Sequence, residues 1–216
     1  MRVIIGMATM KGREENVKKT IESLLANSIV PNDIIVYNNA VQPDLTDNGK
    51  FFGLSVIDEP CYYFSCDDDL IYPPDYIRKT IEHIEVQRCI VSYHGRKLVP
   101  ERVGKSYYKG HRAYACLHTY PETVEIDVCG TGVTAFSTEY FHPFNLHLAT
   151  DQKMSDLVFS LEATKQGKKI MHIGHKAGWI QQQPIPIERT IYGTEHKNET
   201  RQIELACEIY NKKYND

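Results

Sequence analysis

The six cysteines (Cys61, Cys66, Cys89, Cys116, Cys129 and Cys207) contain no Cys-x-x-Cys pair. Their spacing offers neither a zinc framework nor a disulfide scaffold, and reduced thiols in or near the core are expected. No stretch approaches the roughly 18 consecutive apolar residues of a membrane-spanning helix, and Met1 to Gly6 is too short for the apolar region of a signal peptide. Charge of one sign is also missing: 25 Lys and Arg against 28 Asp and Glu leave −3. With no global positive field to hold a nucleic-acid backbone, any phosphate contact must be local. There is no internal repeat or low-complexity tract. What remains is 216 residues, 42% hydrophobic and 25% charged, the make-up of one soluble globular domain in the cytoplasm. A chain of this length can bury roughly 70% of its unfolded surface.

The chain opens with an apolar β-branched run, Val3 to Ala8, which reads as a buried strand. Val17, Ile21, Leu24 and Leu25 then form one stripe of a helix over Glu14 to Ala26. Asp33 to Tyr37 reads as a second strand, which makes a β-α-β unit with parallel strands and a right-handed crossover. Val41 to Gly53 reads as a polar loop, and Ser55 to Ile57 and Tyr62 to Phe64 as strands. Past Pro73-Pro74, Ile77, Ile81 and Ile84 mark a second helix. This alternation favours an α/β layered domain with a mixed, mostly parallel sheet flanked by helices. In the second half, Cys89 to Tyr93 reads as a strand and Lys105 to Tyr120 as a hairpin or long loop. Val124 to Val128 runs into a Gly130-Thr131-Gly132 turn and the apolar Val133 to Phe136. A helix over Met154 to Leu161, a last strand over Lys169 to His175 and a tail helix over Asn198 to Asn211 complete the reading.

Three successive carboxylates, Asp67, Asp68 and Asp69, end an apolar strand. Neighbouring carboxylates are costly to ionise together, so the cluster needs a compensating positive charge. A divalent cation is the natural candidate, and hard oxygen ligands suit Mg²⁺ or Mn²⁺. The alternative is a solvated acidic turn favoured by the N-terminus of the following helix.

The segment Phe64 to Ile77 resembles the Asp-x-Asp region of GT-A fold glycosyltransferases, particularly the family 2-like group. Met7 to Arg13 followed by Thr20 to Leu25 resembles that family's first strand, nucleotide loop and first helix. Val91 to Gly95, Gly130 to Phe136 and Ser155 through Gly167 resemble later landmarks in the same order. The likeness spans residues 2 to about 180. It implies a single Rossmann-like domain, with residues 1–100 as the nucleotide-sugar half, 101–183 as the acceptor and catalytic half, and 184–216 as the tail.

The resemblance further implies a metal held by Asp67 and Asp69 and bridging the donor's diphosphate. Asp67 and Asp68 fall in the donor site, with Thr9 and Arg13 meeting the nucleotide. Asn38 and Asn39 stand where many relatives carry an acidic residue reading the base; their own chemistry also suits a turn. Gly130, Thr131 and Gly132 would bring backbone close to the donor sugar. Asp156 matches the family's catalytic carboxylate, with Asp151 in reserve; either could instead cap a helix, as could Ser155. His175, or His196, would supply a third metal ligand. Tyr107, Tyr108, Tyr114 and Trp179 are candidates for stacking on sugar, or for the core.

The implied activity is metal-dependent transfer of a sugar from a nucleotide sugar, with UDP as the leading nucleotide, to a hydroxyl of a glycan or glycoprotein. Inversion is the leading mechanism and retention the second. The location would be a host's cytoplasm if the chain is virus-encoded. The rivals are a nucleotidyltransferase, an aspartyl phosphatase, and a carbohydrate-binding protein that kept the fold and lost the chemistry.

Overall fold

A computed structural model describes residues 1–143, 145–185 and 199–215. The expected β-α-β start is present as β1 (Arg2–Thr9), α1 (Glu14–Leu25) and β2 (Asp33–Asn38), with β1 and β2 parallel. β3 (Cys61–Asp67) lies parallel on the other side of β1. The short β4 (Leu70–Ile71) leads into α2 (Tyr76–Gln87), β5 (Ile90–Ser92) and β6 (Gly95–Leu98). β7 (His111–Tyr114), β8 (Val124–Ile126), β9 (Val128–Cys129) and β10 (Val133–Ser137) follow. α3 (Ser155–Lys165), β11 (Ile170–His172), β12 (Gln181–Gln182) and α4 (Thr200–Tyr214) complete the described elements.

Seven strands form one sheet in the order β2-β1-β3-β10-β5-β11-β8. Its pairings make β2, β1, β3, β5 and β11 run one way, and β10 and β8 the other. The mixed, mostly parallel α/β layer read from the sequence is therefore present. Two small sheets, β7-β6-β9 and β12-β4, sit beside it.

The central strands are near-continuous apolar runs because both faces are covered. One face buries Val3, Ile5, Met7, Phe64 and Cys66 with Leu24 of α1 and Ile77 and Ile84 of α2. The other buries Ile4, Tyr63, Phe136 and Ile170 with Phe51 and with Phe159 of α3. α3 is apolar on two sides because it lies between this core and a third cluster, in which Leu157 and Leu161 meet Leu205, Ala206 and Ile209 of α4. The tail helix thus docks on the body, as its spacing indicated.

Three local expectations change. Ser55 to Ile57 forms no strand: a 3-10 helix occupies Thr46–Ser55 within the predicted loop, and residues 56–57 continue without regular structure. Leu25, counted in the α1 stripe, stays 49% exposed, because the helix ends there with its buried face already completed by Leu24. The alternating run Val124 to Val128 is split at Asp127, whose buried carboxylate accepts the Leu98 amide (2.8 Å); β8 stays in the main sheet and β9 joins the small one. Five cysteines are buried, Cys207 is half-buried, and all are free thiols. No helix among the described residues is long and apolar enough to cross a membrane.

Candidate active site

β1, β2 and β3 are parallel, so their carboxyl ends, Thr9, Asn38 and Asp67, reach one edge of the sheet. Ligands of open α/β sheets bind beyond that edge. Antiparallel β10 starts there, with Val133 opposite Cys66, so the Gly130 to Gly132 turn arrives at the same place from the other direction. Between these ends lies a cavity of about 610 Å³, within the range that takes a small ligand. Its lining includes Thr9, Arg13, Lys50, the three aspartates, Thr131 and Asp156.

The acidic turn is fixed from beneath. The Tyr72 hydroxyl donates to Gly132 O (2.6 Å) and receives the Asp67 amide (2.9 Å). Thr20 Oγ1 lies 3.0 Å from Asp68 O and 2.8 Å from Leu70 O, and the Gln183 amide donates to Asp69 O (2.8 Å). Gly132 must be glycine here, because a Cβ would overlap the Asp67 carboxylate.

The positive charge that the triplet requires comes in part from the protein. Arg13 Nη1 lies 2.5 Å from Asp68 Oδ1 and 3.5 Å from Asp69 Oδ2. Thr9 Oγ1 donates to the other Asp68 oxygen (2.6 Å). Lys50 Nζ, itself buried, lies 2.5 Å from Asp67 Oδ1. Burial alone would discharge Lys50, but Asp67 and Asp47 more than reverse that and push its pKa above the usual lysine range. Compensation is incomplete. Burial, then the charges of Asp67 and Asp68, push the Asp69 carboxyl up to about 7. Burial also raises Asp68 despite Thr9 and Arg13. Among the described residues no cluster of three or more His, Cys, Asp or Glu is arranged to hold a metal ion.

Asp156 occupies the opposite wall, in the first turn of α3. Its Oδ1 accepts the Thr131 amide and hydroxyl, both at 2.8 Å, and its Oδ2 accepts Arg96 Nη1 at 3.0 Å. Burial works to raise its pKa, but Arg96, the Thr131 amide and His94 outweigh it and hold the carboxyl below the usual range. Asp156 does not cap α3. The Ser155 amide instead donates to Asp47 Oδ2 (3.0 Å), brought in by the 3-10 helix.

The remaining candidates divide. Thr131 lines the cavity, whereas Gly130 packs against His94 behind it. Asn39 is at the rim, but its side chain is spent on the loop, donating to Thr46 O and accepting the Leu45 amide, each at 2.9 Å. Asn38 accepts the Ala40 amide (2.9 Å) and is absent from the described lining, so turn chemistry accounts for it. Asp151 is engaged by Arg201 through Nε (2.7 Å) and Nη2 (2.9 Å), which ties α4 down.

His175 is remote from the aspartates in its contacts. Its ring nitrogens lie 2.9 and 3.1 Å from the carbonyl oxygens of Ile173 and Cys116, and its ring packs among Tyr93, Tyr120 and His172. The expectation that it completes a metal shell is corrected, because those carbonyls occupy the nitrogens a metal would need. His196 lies outside the described residues. Of the aromatic candidates, Tyr107 and Tyr108 line the cavity. Tyr114 packs on Tyr120 and His172, and Trp179 packs on Tyr76 and Tyr93 while donating to Asp75 (2.9 Å).

Lys50, Arg96, Asp47 and Gln202 belong to the site and carried no sequence signal. They come from a loop, a short strand and the tail helix, and only the fold brings them together.

No family model and no curated protein matches this sequence. Among solved structures, the chain is similar to that described as "Crystal Structure of A197 from STIV", a viral protein, with a TM-score of 0.50 and 12% identity, over 86% of this chain and 87% of that one. At that identity the likeness is one of fold.

Proposed function

We propose that this chain is a glycosyltransferase that moves a sugar from a nucleoside diphosphate sugar, UDP being the first nucleotide to test, to a hydroxyl of a saccharide-bearing acceptor. One observation carries the reading. An under-neutralised acidic turn and a separately anchored ionised carboxylate face each other across one cavity at the carboxyl edge of an α/β sheet.

The acidic turn suits Mn²⁺ or Mg²⁺. Asp67 and Asp69 offer two carboxylates, the number Mg²⁺ accepts when substrate phosphates complete its shell, and the raised Asp69 pKa marks negative charge the protein leaves unbalanced. When bound there, such an ion would withdraw charge from the leaving diphosphate. Arg13 and Lys50 hold the aspartates in place and lend positive charge to the same end.

Asp156, ionised at neutral pH, is in the state to take the acceptor's proton. The acceptor oxygen then bonds to the anomeric carbon while the bond from that carbon to the diphosphate oxygen breaks, and the diphosphate leaves with the electron pair. This displacement inverts the anomeric centre. A second reading follows from the engagement of both Asp156 oxygens by Arg96 and Thr131, which suits a carboxylate that orients the donor in a retaining transfer.

The test is a thermal-shift panel of UDP-, GDP- and dTDP-sugars with and without Mn²⁺. One nucleotide class should stabilise the protein only with metal, and Asp69→Ala should abolish the response. A melting point unmoved by every donor and metal overturns the proposal.

A further inference from the structure

The first turns of α3 and α4 meet at one end of the cavity, where the paired Asp151 and Arg201 hold α4 in place. Gln202, the next residue along α4, lines the cavity together with Leu157, Tyr107 and Tyr108. It is 4% exposed, yet among the described residues no donor pairs with its buried Oε1. Its helical neighbours on that face, Leu205, Ala206 and Ile209, are apolar, so packing alone would favour an apolar side chain here. A buried amide oxygen without a partner is costly, and native proteins seldom keep one without a use. Its surroundings are two tyrosine rings and a carboxylate that accepts protons from hydroxyls, which is the chemistry of a sugar: C–H faces against aromatic rings and hydroxyls toward polar atoms.

We propose that this end of the cavity is the acceptor-saccharide subsite, and that Gln202 Oε1 accepts a hydrogen bond from a ring hydroxyl and so selects which sugar is bound. The assignment of this sugar to the acceptor rests on the transferase reading, because it is Asp156 that makes the neighbouring hydroxyl the nucleophile. Gln202 is a specificity residue and takes no part in bond making.

The decisive variant is Gln202→Met, which keeps the length of the side chain and removes its polar atoms. The probes are glucose, galactose, mannose and N-acetylglucosamine, followed by saturation-transfer NMR on the full chain, with melting temperature measured alongside. We expect at least one sugar to bind the native protein and its affinity to fall by about tenfold or more in the variant, while the ligand-free variant melts about 2–4 °C higher, because it no longer buries an unmatched oxygen. Unchanged sugar binding, a lower melting temperature in the variant, or no sugar bound by the native protein overturns the proposal. UDP-sugar titrations separate this result from the broader reading: nucleotide sugars that bind neither protein sink the transferase, whereas donor binding with sugar affinity untouched by Gln202→Met sinks only the subsite.

Discussion

The two carboxylate clusters of the cavity are built on opposite electrostatic principles. At Asp156, one carboxylate meets a guanidinium and two donors from Thr131, and its pKa falls. At Asp67 to Asp69, three carboxylates share Arg13 and Lys50, and Asp68 and Asp69 rise. Both are anchored by the fold, so the difference is one of balance. The first is complete without a ligand, and the second has room for one more positive charge. A protein that needed acid residues only to cap helices or face solvent would not bury them in such unequal company.

That contrast can be broken most directly at Asp156. Asp156→Asn keeps the shape and removes the charge, so donor-dependent thermal stabilisation should survive while turnover falls by roughly 10²-fold or more, the scale of a lost general base. Near-normal turnover in a donor assay would leave Asp156 as an anchor for Arg96 and Thr131. If the product's anomer is retained, the orienting role replaces the proton-accepting one.

Gly132→Ala attacks the other cluster through its backbone. The added Cβ overlaps the Asp67 carboxylate, and overpacking of this kind costs about 1–3 kcal/mol. Chemical denaturation should report that loss, together with a weaker metal-dependent donor response. A variant as stable as the parent and with full donor response would show that Asp67 is free to move aside.

Lys50→Met sharpens the question of charge. Removing the cation that faces Asp67 should tighten the binding of Mn²⁺ alone by about tenfold, or 1.4 kcal/mol, as read by calorimetry. Weaker Mn²⁺ binding would mean that Lys50 shapes the site rather than competes for it.

The smallest effect is a pH slope. Burial and Arg96 lower the pKa of His94, beside the Asp156 cluster, to about 4, and burial and His175 lower that of His172 to about 4. Both rings are neutral in the folded protein while the unfolded chain still titrates near 6.5, so the unfolded state binds more protons between those values. Stability should therefore fall as pH drops from about 6.5 toward 4, and Asp156 adds to the loss only within and below the ordinary carboxylate range. Melting curves across that interval check the sign; a flat or opposite slope in His172→Phe relative to the parent would fit, whereas an unchanged slope would discount this histidine.

Much of the frame was legible in the chain itself. β-branched runs such as Val3 to Ala8 and Asp33 to Tyr37 have no stable place except a sheet covered on both faces, and the helical stripe between them forces the parallel crossover. The Asp67 to Asp69 cluster was equally plain, because three carboxylates at the end of an apolar strand always require an answer. The failures have local causes. Ser55 to Ile57 has the composition of a strand and no edge to pair with. His175 looked like a ligand until its ring nitrogens met the carbonyls of Ile173 and Cys116. Asn38 and Asn39 read equally well as base-binding groups and as turn residues, and nearby backbone amides decided between them for Asn38.

Sequence by itself therefore determined the layer order, the apolar strands and the position of the acidic turn, because these depend on periodicity and on neighbours in the chain. Only tertiary structure decided which charges answer which. Lys50 reaches Asp67, Arg96 reaches Asp156 and Gln202 enters the cavity from the tail helix through contacts between segments 17, 60 and more residues apart. Such partners are chosen by where the folded sheet edge and the helix ends happen to meet, and a linear pattern holds no record of that meeting.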